Sequence, residues 1–269
     1  MLEPAPPFRI GQPLAWTFHR GTARWVFNTP AITSPAPLPG RENPTAQWTA
    51  LPNPLPLTRS LGEVLASRVS SRAFTPDGIG LAALSTVLYW AYGMLGRSTD
   101  GVLDLVERPV PSAGGLYPLE VSVLVRAVDG IEPGVYHYVP LAGGLEEVRA
   151  GELPQQLVSY LFMGQPWVGQ AAVVLVVSAA TDRSLGKYGD RGYRYLLAEA
   201  GHVAQNLDLV ATALGLGAVN VGGFFDDEVA GLLRLDEERE VPLYATAVGV
   251  PATMDRIALR AIPTAVPGG

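Results

Sequence analysis

Prolines are concentrated at the N-terminal end of this chain, where they limit which residues can form regular structure. Half of the 24 prolines in the 269-residue sequence lie in residues 1–57. Each proline fixes φ and removes a backbone donor, so this segment cannot sustain a helix or a central strand. We therefore expect an extended proline-rich arm over residues 1–57 and a globular domain over residues 58–269. Trp16, Trp25 and Trp48 indicate that the arm packs on other structure.

From residue 58 onward, the spacing of apolar residues predicts both helices and strands. Helical spacing covers residues 58–68, 75–94, 193–215 and 226–235. Short apolar runs predict strands over residues 119–128, 134–140, 171–179, 218–224 and 243–250. Because these elements are mixed without strict βαβ alternation, we expect an α+β fold.

The bulk composition excludes several classes of protein and site. A net charge of −6 with 16% charged residues leaves no basic surface for nucleic acid. The chain has no cysteine, which excludes disulfides and a thiol nucleophile, and its three histidines show no metal-ligand spacing. The longest apolar run, residues 171–180, is too short to span a bilayer, and the N-terminus lacks a signal-peptide pattern. We expect a cytoplasmic protein with no metal, no nucleic-acid partner and no membrane partner.

The segment SRVSSRAF contains two arginines that flank a serine. Arg68 and Arg72 can donate charge-assisted hydrogen bonds to a phosphate, and the hydroxyl of Ser70 lies between them in sequence. The same pattern is also typical of a solvated helix end. Both interpretations remain open from these residues alone.

Two segments rich in small residues could bring the backbone close to a flat ligand. In RPVPSAGGLYPLE, Pro111, Ser112, Ala113 and Gly114 carry little side-chain bulk, and a strand follows. In NVGGFFDD, a pair of glycines at 222–223 follows a short apolar strand. Ordinary turns are the alternative for both segments. Neither segment has the spacing of a Walker loop or of a dinucleotide-binding glycine motif.

Lys187 is the only lysine in the chain, and Tyr188 follows it. The pKa of a lysine can be lowered by burial or by nearby cations, so a lysine can act as a base where an arginine stays charged. Three arginines close in sequence could disfavour the charged ammonium: Arg183, Arg191 and Arg194. Tyr188 could share a proton with the lysine or stabilise an anion. The alternative is a surface lysine with no chemical role.

These segments, in this order, resemble the nitroreductase family of flavoproteins and, within it, the SagB/McbC-type azoline dehydrogenases. SRVSSRAF resembles the phosphate segment of the family, and PSAGGLYPLE is similar to a Pro-Ser-Ala-Gly-x-Leu-Tyr-Pro motif of the branch. The resemblance covers about residues 58–255. It implies a central, mainly antiparallel sheet flanked by helices, with FMN bound at a homodimer interface.

The resemblance also implies roles for individual residues. Arg68, Ser70 and Arg72 would hold the FMN phosphate and ribityl region. The flavin ring would be approached by six residues: Pro111, Ser112, Ala113, Gly114, Gly222 and Gly223. A late basic residue would reach the phosphate, and we expect Arg256, with Arg260 as the alternative.

In the azoline dehydrogenases, a Lys-Tyr pair before the long helix is regarded as catalytic, and Lys187 and Tyr188 occupy that position. The resemblance therefore implies oxidation of thiazoline or oxazoline rings in a ribosomally made precursor peptide, with a cyclodehydratase as a further partner. Three alternatives remain: an NAD(P)H-dependent nitro or quinone reductase, a relative of the oxidase domains of nonribosomal peptide synthetases, and a flavin-free scaffold subunit.

Overall fold

The protein is described by a computed structural model over residues 12–23, 46–99 and 104–252. Eight helices lie in these ranges: α1 (Pro13–Gly21), α2 (Leu61–Ser67), α3 (Leu81–Tyr92), α4 (Gln155–Leu161), α5 (Pro166–Gln170), α6 (Thr181–Tyr188), α7 (Arg191–Ala213) and α8 (Asp226–Leu233). Eleven strands accompany them: β1 (Trp48–Ala50), β2 (Ile79–Gly80), β3 (Gly96–Thr99), β4 (Asp104–Glu107), β5 (Leu119–Val125), β6 (Val128–Asp129), β7 (Gly134–Val139), β8 (Gly144–Ala150), β9 (Val173–Ala180), β10 (Gly217–Val221) and β11 (Glu240–Gly249).

Seven of the strands form one sheet in the order β1-β8-β7-β5-β9-β11-β10. Every neighbouring pair in this sheet is antiparallel. β5 is buried along its whole length, and β9 is buried up to its last residue, because helices cover both faces of the sheet. The predicted α+β fold with a mainly antiparallel sheet is confirmed.

Alternate residues of the central strands supply two separate apolar cores. Val173, Leu175 and Val177 of β9 pack with α3 and α7 on one face. Val174 and Val176 pack on the other face, with α4, α5 and α8. This alternation follows from the two-residue period of a strand, and it explains why the run is apolar without interruption.

The N-terminal prediction is wrong at α1, since Pro13–Gly21 is helical. Pro13 lies in the first turn, where the missing N–H has no helical acceptor to lose. β1 pairs with β8 at the edge of the sheet, the position at which a proline-rich segment can add a strand. The boundary between arm and domain at residues 57 and 58 remains a prediction. Ser85 Oγ in α3 donates to the Pro52 carbonyl at 2.5 Å, so the chain already contacts the domain before this boundary.

The topology brings three loops or helix ends to one end of the sheet. β9 runs directly into α6, and β5 begins at the same end because Leu119 pairs with Ala179. β10 runs parallel to β9, since both are antiparallel to β11, and it also ends there. The loop before β5, helix α6 and the glycines after β10 therefore share this end of the sheet. Across the described ranges, no helix combines the length and the apolar character that crossing a bilayer requires.

Candidate active site

Lys187 and Tyr188 are the last two residues of α6, and their side chains contact the loop that precedes β5. Gly114 in this loop has a φ of +66°. A Cβ placed on Gly114 would lie 2.8 Å from Lys187 Nζ and would overlap the Tyr188 hydroxyl. Lys187 Nζ also lies 5.5 Å from the centre of the Tyr188 ring. The structure thus brings together the Lys-Tyr pair and the small-residue loop, and a side chain at position 114 would displace the Lys187 and Tyr188 side chains.

Helix α6 is attached to the sheet and to the loop through Arg183, one turn before Lys187. Arg183 Nη2 donates to Glu120 Oε1 at 2.6 Å, and Nη1 donates to the Tyr117 carbonyl at 3.2 Å. Glu120 Oε2 lies 3.0 Å from His137 Nε2. Burial tends to raise the pKa of Glu120, but the hydrogen bond to His137 and the charge of Arg183 outweigh it and lower the pKa. An ionised, paired carboxylate therefore fixes the helix that carries Lys187.

The other two arginines near the Lys-Tyr pair contact the N-terminal helix region. Arg191 Nη1 donates to the Thr22 carbonyl at 3.2 Å, and Arg194 Nε donates to Thr22 Oγ1 at 2.6 Å. Arg194 also donates to the His19 carbonyl. These contacts attach residues 12–23 to the first turn of α7, close in sequence to the candidate catalytic residues.

Glu199 of α7 is a buried acid that hydrogen bonds to the loop of residues 111–118, and no sequence motif indicated it. Ser112 Oγ donates to Glu199 Oε2 at 2.5 Å, and the Tyr117 N–H donates to Ser112 Oγ at 2.9 Å. The Tyr92 hydroxyl donates to Glu199 Oε1 at 2.9 Å and accepts from the Leu119 N–H at 3.2 Å. One carboxylate thus anchors both the beginning and the end of this loop.

Burial raises the pKa of Glu199 to about 7, although hydrogen bonds from Ser112 and Tyr92 and the charge of Arg108 act in the opposite direction. The signal available in the sequence was the position of this acid on the apolar stripe of the long helix, beside Leu196 and Val203. An acid on a buried stripe needs a partner, and the partner could not be identified from the sequence because Ser112 is distant along the chain.

The expected phosphate segment runs beside β10. Ser70 forms a parallel bridge with Ala218, and the Arg72 guanidinium lies 5.8 Å from the Trp167 ring centre. Arg68 Nη1 lies 3.7 Å from Asp208 Oδ2, and about a third of the Arg68 side chain is exposed. Two guanidiniums and a hydroxyl therefore lie along one edge of the sheet.

Asp208 is a second buried acid on α7 that the sequence analysis did not select. Burial raises its pKa to about 6, although Arg68 and a hydrogen bond from Asn220 act against this shift. The Asn220 amide donates to Asp208 Oδ2 at 3.0 Å. This contact connects the Arg68 side chain to β10, the strand that leads to the paired glycines.

Gly222 and Gly223 follow the last residue of β10, as predicted. Gly222 is exposed, and a Cβ there would lie 3.3 Å from the Tyr244 ring; a Cβ on Gly223 would lie 2.9 Å from the sulfur of Met163. Gly222 follows Ala218 by four residue steps along the chain, which is about 13 Å at the usual rise per residue of a strand.

The residues suit a phosphate-bearing flavin. Ser70, which lies between Arg68 and Arg72 in sequence, pairs with the beginning of β10, and backbone without side chains follows the end of β10, as an elongated ligand with a flat ring requires. Arg256 and its alternative Arg260 lie outside the described residues.

A cavity of about 430 Å³ adjoins the loop before β5. It lies between residues 109–111 and the exposed face of α7, where Leu197, Gly201 and His202 line it. Pro111 is the predicted site residue in its lining. The cavity gives the Pro111 end of the loop an open, largely apolar neighbour.

A seven-stranded antiparallel sheet, helices on both of its faces and a glycine-containing site at one end define an α+β protein with a nitroreductase-like fold. Residues 65–250 match the Nitroreductase family, and the chain belongs to this family of oxidoreductases. Proteins of the family typically use a flavin.

Two relatives are similar to the chain over half of its length or more. MJ1384 of Methanocaldococcus jannaschii, which is named as a nitroreductase, is 40% identical over 189 residues, covering 70% of this chain and 90% of MJ1384. The microcin B17-processing protein McbC of Escherichia coli is 36% identical over 148 residues, covering 54% of this chain and 54% of McbC.

Two solved structures are also similar to the chain, one described as a nitroreductase and one a microcin synthetase complex. A crystal structure from Anabaena variabilis, described as a nitroreductase, has a TM-score of 0.66 at 28% identity and covers 78% of this chain; the match spans 42% of that longer chain. The E. coli microcin synthetase McbBCD complex with truncated pro-MccB17 bound has a TM-score of 0.58 at 26% identity, covering 94% of this chain and 85% of the matched chain.

Proposed function

We propose that this protein is an FMN-dependent dehydrogenase that oxidises thiazoline or oxazoline rings in a ribosomally synthesised peptide to thiazole or oxazole. The observation that supports this most strongly is the contact of Lys187 and Tyr188 with Gly114. It places a potential base and a hydroxyl against the loop expected to line the flavin ring. A reductase that only passes hydride from a nicotinamide to an acceptor has no need of such a base.

Aromatisation of an azoline removes two hydrogens, one as a proton from the ring carbon next to the carbonyl and one as a hydride. FMN, when bound, would supply the acceptor for the hydride. Lys187 takes the proton in this scheme, because its amine is the one basic nitrogen of the pair and it lies at the loop. The Tyr188 hydroxyl donates to the negative charge that develops on the ring or shares the proton with Lys187.

The chain offers separate groups for each part of the cofactor. Arg68, Ser70 and Arg72 would bind the phosphate and the ribityl chain. The turn at Ser112–Gly114 and the backbone of the exposed Gly222 and the half-buried Gly223 would bind the ring. The loop is anchored by Glu199 and helix α6 by Arg183, so the reacting groups are held by buried contacts.

The same proposal includes the partners. An azoline-containing precursor peptide would be the substrate, and the cyclodehydratase that forms the azoline would be the partner enzyme, in the cytoplasm. The support is the similarity to McbC, which is named for processing microcin B17, and to the McbBCD complex, in which truncated pro-MccB17 is bound. We further infer a homodimer, as the resemblance to flavin-binding relatives implies.

A second candidate function, a nitro or quinone reductase driven by NAD(P)H, is favoured by one observation. MJ1384, named as a nitroreductase, is 40% identical to this chain. The reaction class is therefore the property to test first.

The experiment uses the purified full-length protein with FMN, in air, and a peptide that carries a thiazoline. The proposal predicts a flavin absorption spectrum after removal of free FMN, and a peptide product lighter by two hydrogens per ring. Rapid NADPH-dependent bleaching of the flavin, together with an unchanged peptide mass, would instead establish the reductase. Absence of any bound flavin at saturating FMN would contradict both candidates.

A further inference from the structure

The buried acid Glu199 lies where it can control the shape of the loop that contacts Lys187 and Tyr188. Glu199 is 3% exposed. One of its carboxylate oxygens accepts a hydrogen bond from the Ser112 hydroxyl, and the other accepts one from the Tyr92 hydroxyl. Two residues after Ser112 comes Gly114, the residue in contact with the Lys-Tyr pair. A displacement of Ser112 would therefore reach the candidate catalytic side chains through a very short stretch of backbone.

This loop has an unusual backbone that needs an external constraint. Gly114 and Gly115 both have φ of +66°, and Tyr117 has φ of +44°, a conformation that a residue with a side chain rarely adopts. Such a conformation persists only where surrounding contacts hold it. The hydrogen bond from the Tyr117 N–H to Ser112 Oγ, with Ser112 in turn bonded to Glu199, supplies that constraint.

We propose that Glu199 is a positioning residue: its ionised carboxylate fixes Ser112, and through Ser112 it fixes the loop against Lys187 and Tyr188. Ionised Glu199 satisfies both hydroxyl donors. A proton on the carboxyl turns one acceptor into a donor, so one of the two hydroxyls has to break or reverse its hydrogen bond. The loop is then expected to exist in a second arrangement when Glu199 is protonated.

The surroundings of the carboxyl define the pH at which this exchange occurs. The facing titratable and charged groups are Tyr92 from α3 and Arg108 from the segment before the loop, whose guanidinium lies 4.3 Å from the Tyr92 ring centre. Burial and the neighbouring Glu199 raise the pKa of Tyr92 well above its ordinary value, so Tyr92 remains a donor. Burial raises the pKa of Glu199 to about 7, which places its own titration in the neutral range.

The inference has a direct test that needs neither cofactor nor substrate. In a ¹³C,¹⁵N-labelled sample of the full chain, the Glu199 carboxyl signal is assigned by its loss in Glu199→Gln. It is followed together with the Tyr117 amide between about pH 3 and 9, a range that includes both the ordinary and the raised pKa of this carboxyl. We expect both signals to change with one midpoint near pH 7. A Glu199 midpoint at the ordinary value, or a Tyr117 amide that does not respond, would overturn the inference.

A kinetic test of the positioning role rests on the proposed function, but the failure of one can be distinguished from the failure of the other. A glutamine side chain resembles the protonated acid, so Glu199→Gln is expected to lower kcat for azole formation by up to about 100-fold at all pH values. The kcat of the wild type should fall toward the kcat of the variant only below pH 7. Ser112→Ala should have the same effect, and the double variant should lose no more than either single variant, because the two residues act as one unit.

The outcomes distinguish the two claims. Additive losses in the double variant, or a Glu199→Gln enzyme with the wild-type kcat and pH profile, would refute the positioning role. A coupled Glu199–Tyr117 titration in a protein that never forms azole would support the positioning role and refute the proposed function instead. If Glu199→Gln does not fold, the wild-type Tyr117 titration and the Ser112→Ala enzyme still decide the question.

Discussion

A methyl group added at Gly114 would reach both side chains proposed to carry out catalysis. The Cβ of Gly114→Ala would lie 2.8 Å from Lys187 Nζ and 3.4 Å from its Cε. Ordinary contacts between such atoms are about 3.5–4.0 Å, so the Lys187 side chain must move by roughly 1 Å. A displacement of that size in a catalytic group can lower the rate by about 100-fold.

The same substitution also has a backbone cost, which a matched control can measure. Gly114 and Gly143 share a φ of +66°, but a Cβ at Gly143 has no neighbour within 4 Å. Each alanine variant should lose about 1–2 kcal/mol from the left-handed backbone. For a chain of this size, that corresponds to a fall in Tm of about 2–4 °C for each kcal/mol.

The assay combines thermal unfolding with azole formation at saturating FMN and peptide. Gly143→Ala should lose stability and keep kcat, whereas Gly114→Ala should lose similar or greater stability and most of its kcat. If Gly114→Ala retains the kcat of Gly143→Ala, the contact between the loop and the Lys-Tyr pair is not needed for the reaction. If Gly143→Ala loses kcat equally, the loss reflects stability and not the contact.

Two further predictions concern the ion pair that fixes α6. Arg183→Ala should lower kcat while FMN stays bound. Added guanidinium should restore part of the rate, because the lost side chain bonds both Glu120 and the Tyr117 carbonyl. Steady-state kinetics with and without guanidinium, together with an FMN titration, check this prediction. Glu120→Gln should lower the free energy of unfolding by about 3–5 kcal/mol at neutral pH, because Arg183 is left without its buried counter-charge. The folded-state pKa of Glu120 is lowered, so its contribution exists above the unfolded pKa and disappears as pH falls through the folded value. In urea unfolding, the difference between wild type and variant should therefore begin to shrink as pH falls below about 4.5; a difference that is constant with pH would contradict the ion pair.

The elements with strong apolar periodicity could be predicted from the sequence. Helix α7 and strand β9 were expected close to their observed bounds, because burial of a stripe or of a whole strand leaves a pattern in the residues themselves. Helix α6 carries no such stripe; its polar sequence, TDRSLGKY, is held by the contacts of Arg183 instead. Strand β8 has three charged residues among seven and lies near the edge of the sheet, so its pairing with β7 decides its conformation.

The candidate site was predictable where its residues act through their own chemistry. Two arginines around a serine, a loop of small residues and a lone lysine are visible in the sequence. The acids behind them were not selected, because Glu199 is defined by a hydrogen bond to Ser112 and Glu120 by one to Arg183, and both pairs are far apart along the chain. The sequence therefore indicated the groups that we propose face a ligand, and the fold was needed to find the groups that hold them in place.

Lys187→Arg removes only the proposed base, because arginine keeps the positive charge but does not release its proton at neutral pH. The measurement is the mass of a thiazoline peptide after incubation in air with FMN-loaded wild type or variant, with bound flavin quantified in both. If Lys187 is the base, the variant should have normal flavin content and the peptide should not lose two hydrogens. A Lys187→Arg enzyme that aromatises the peptide at the wild-type rate would contradict it.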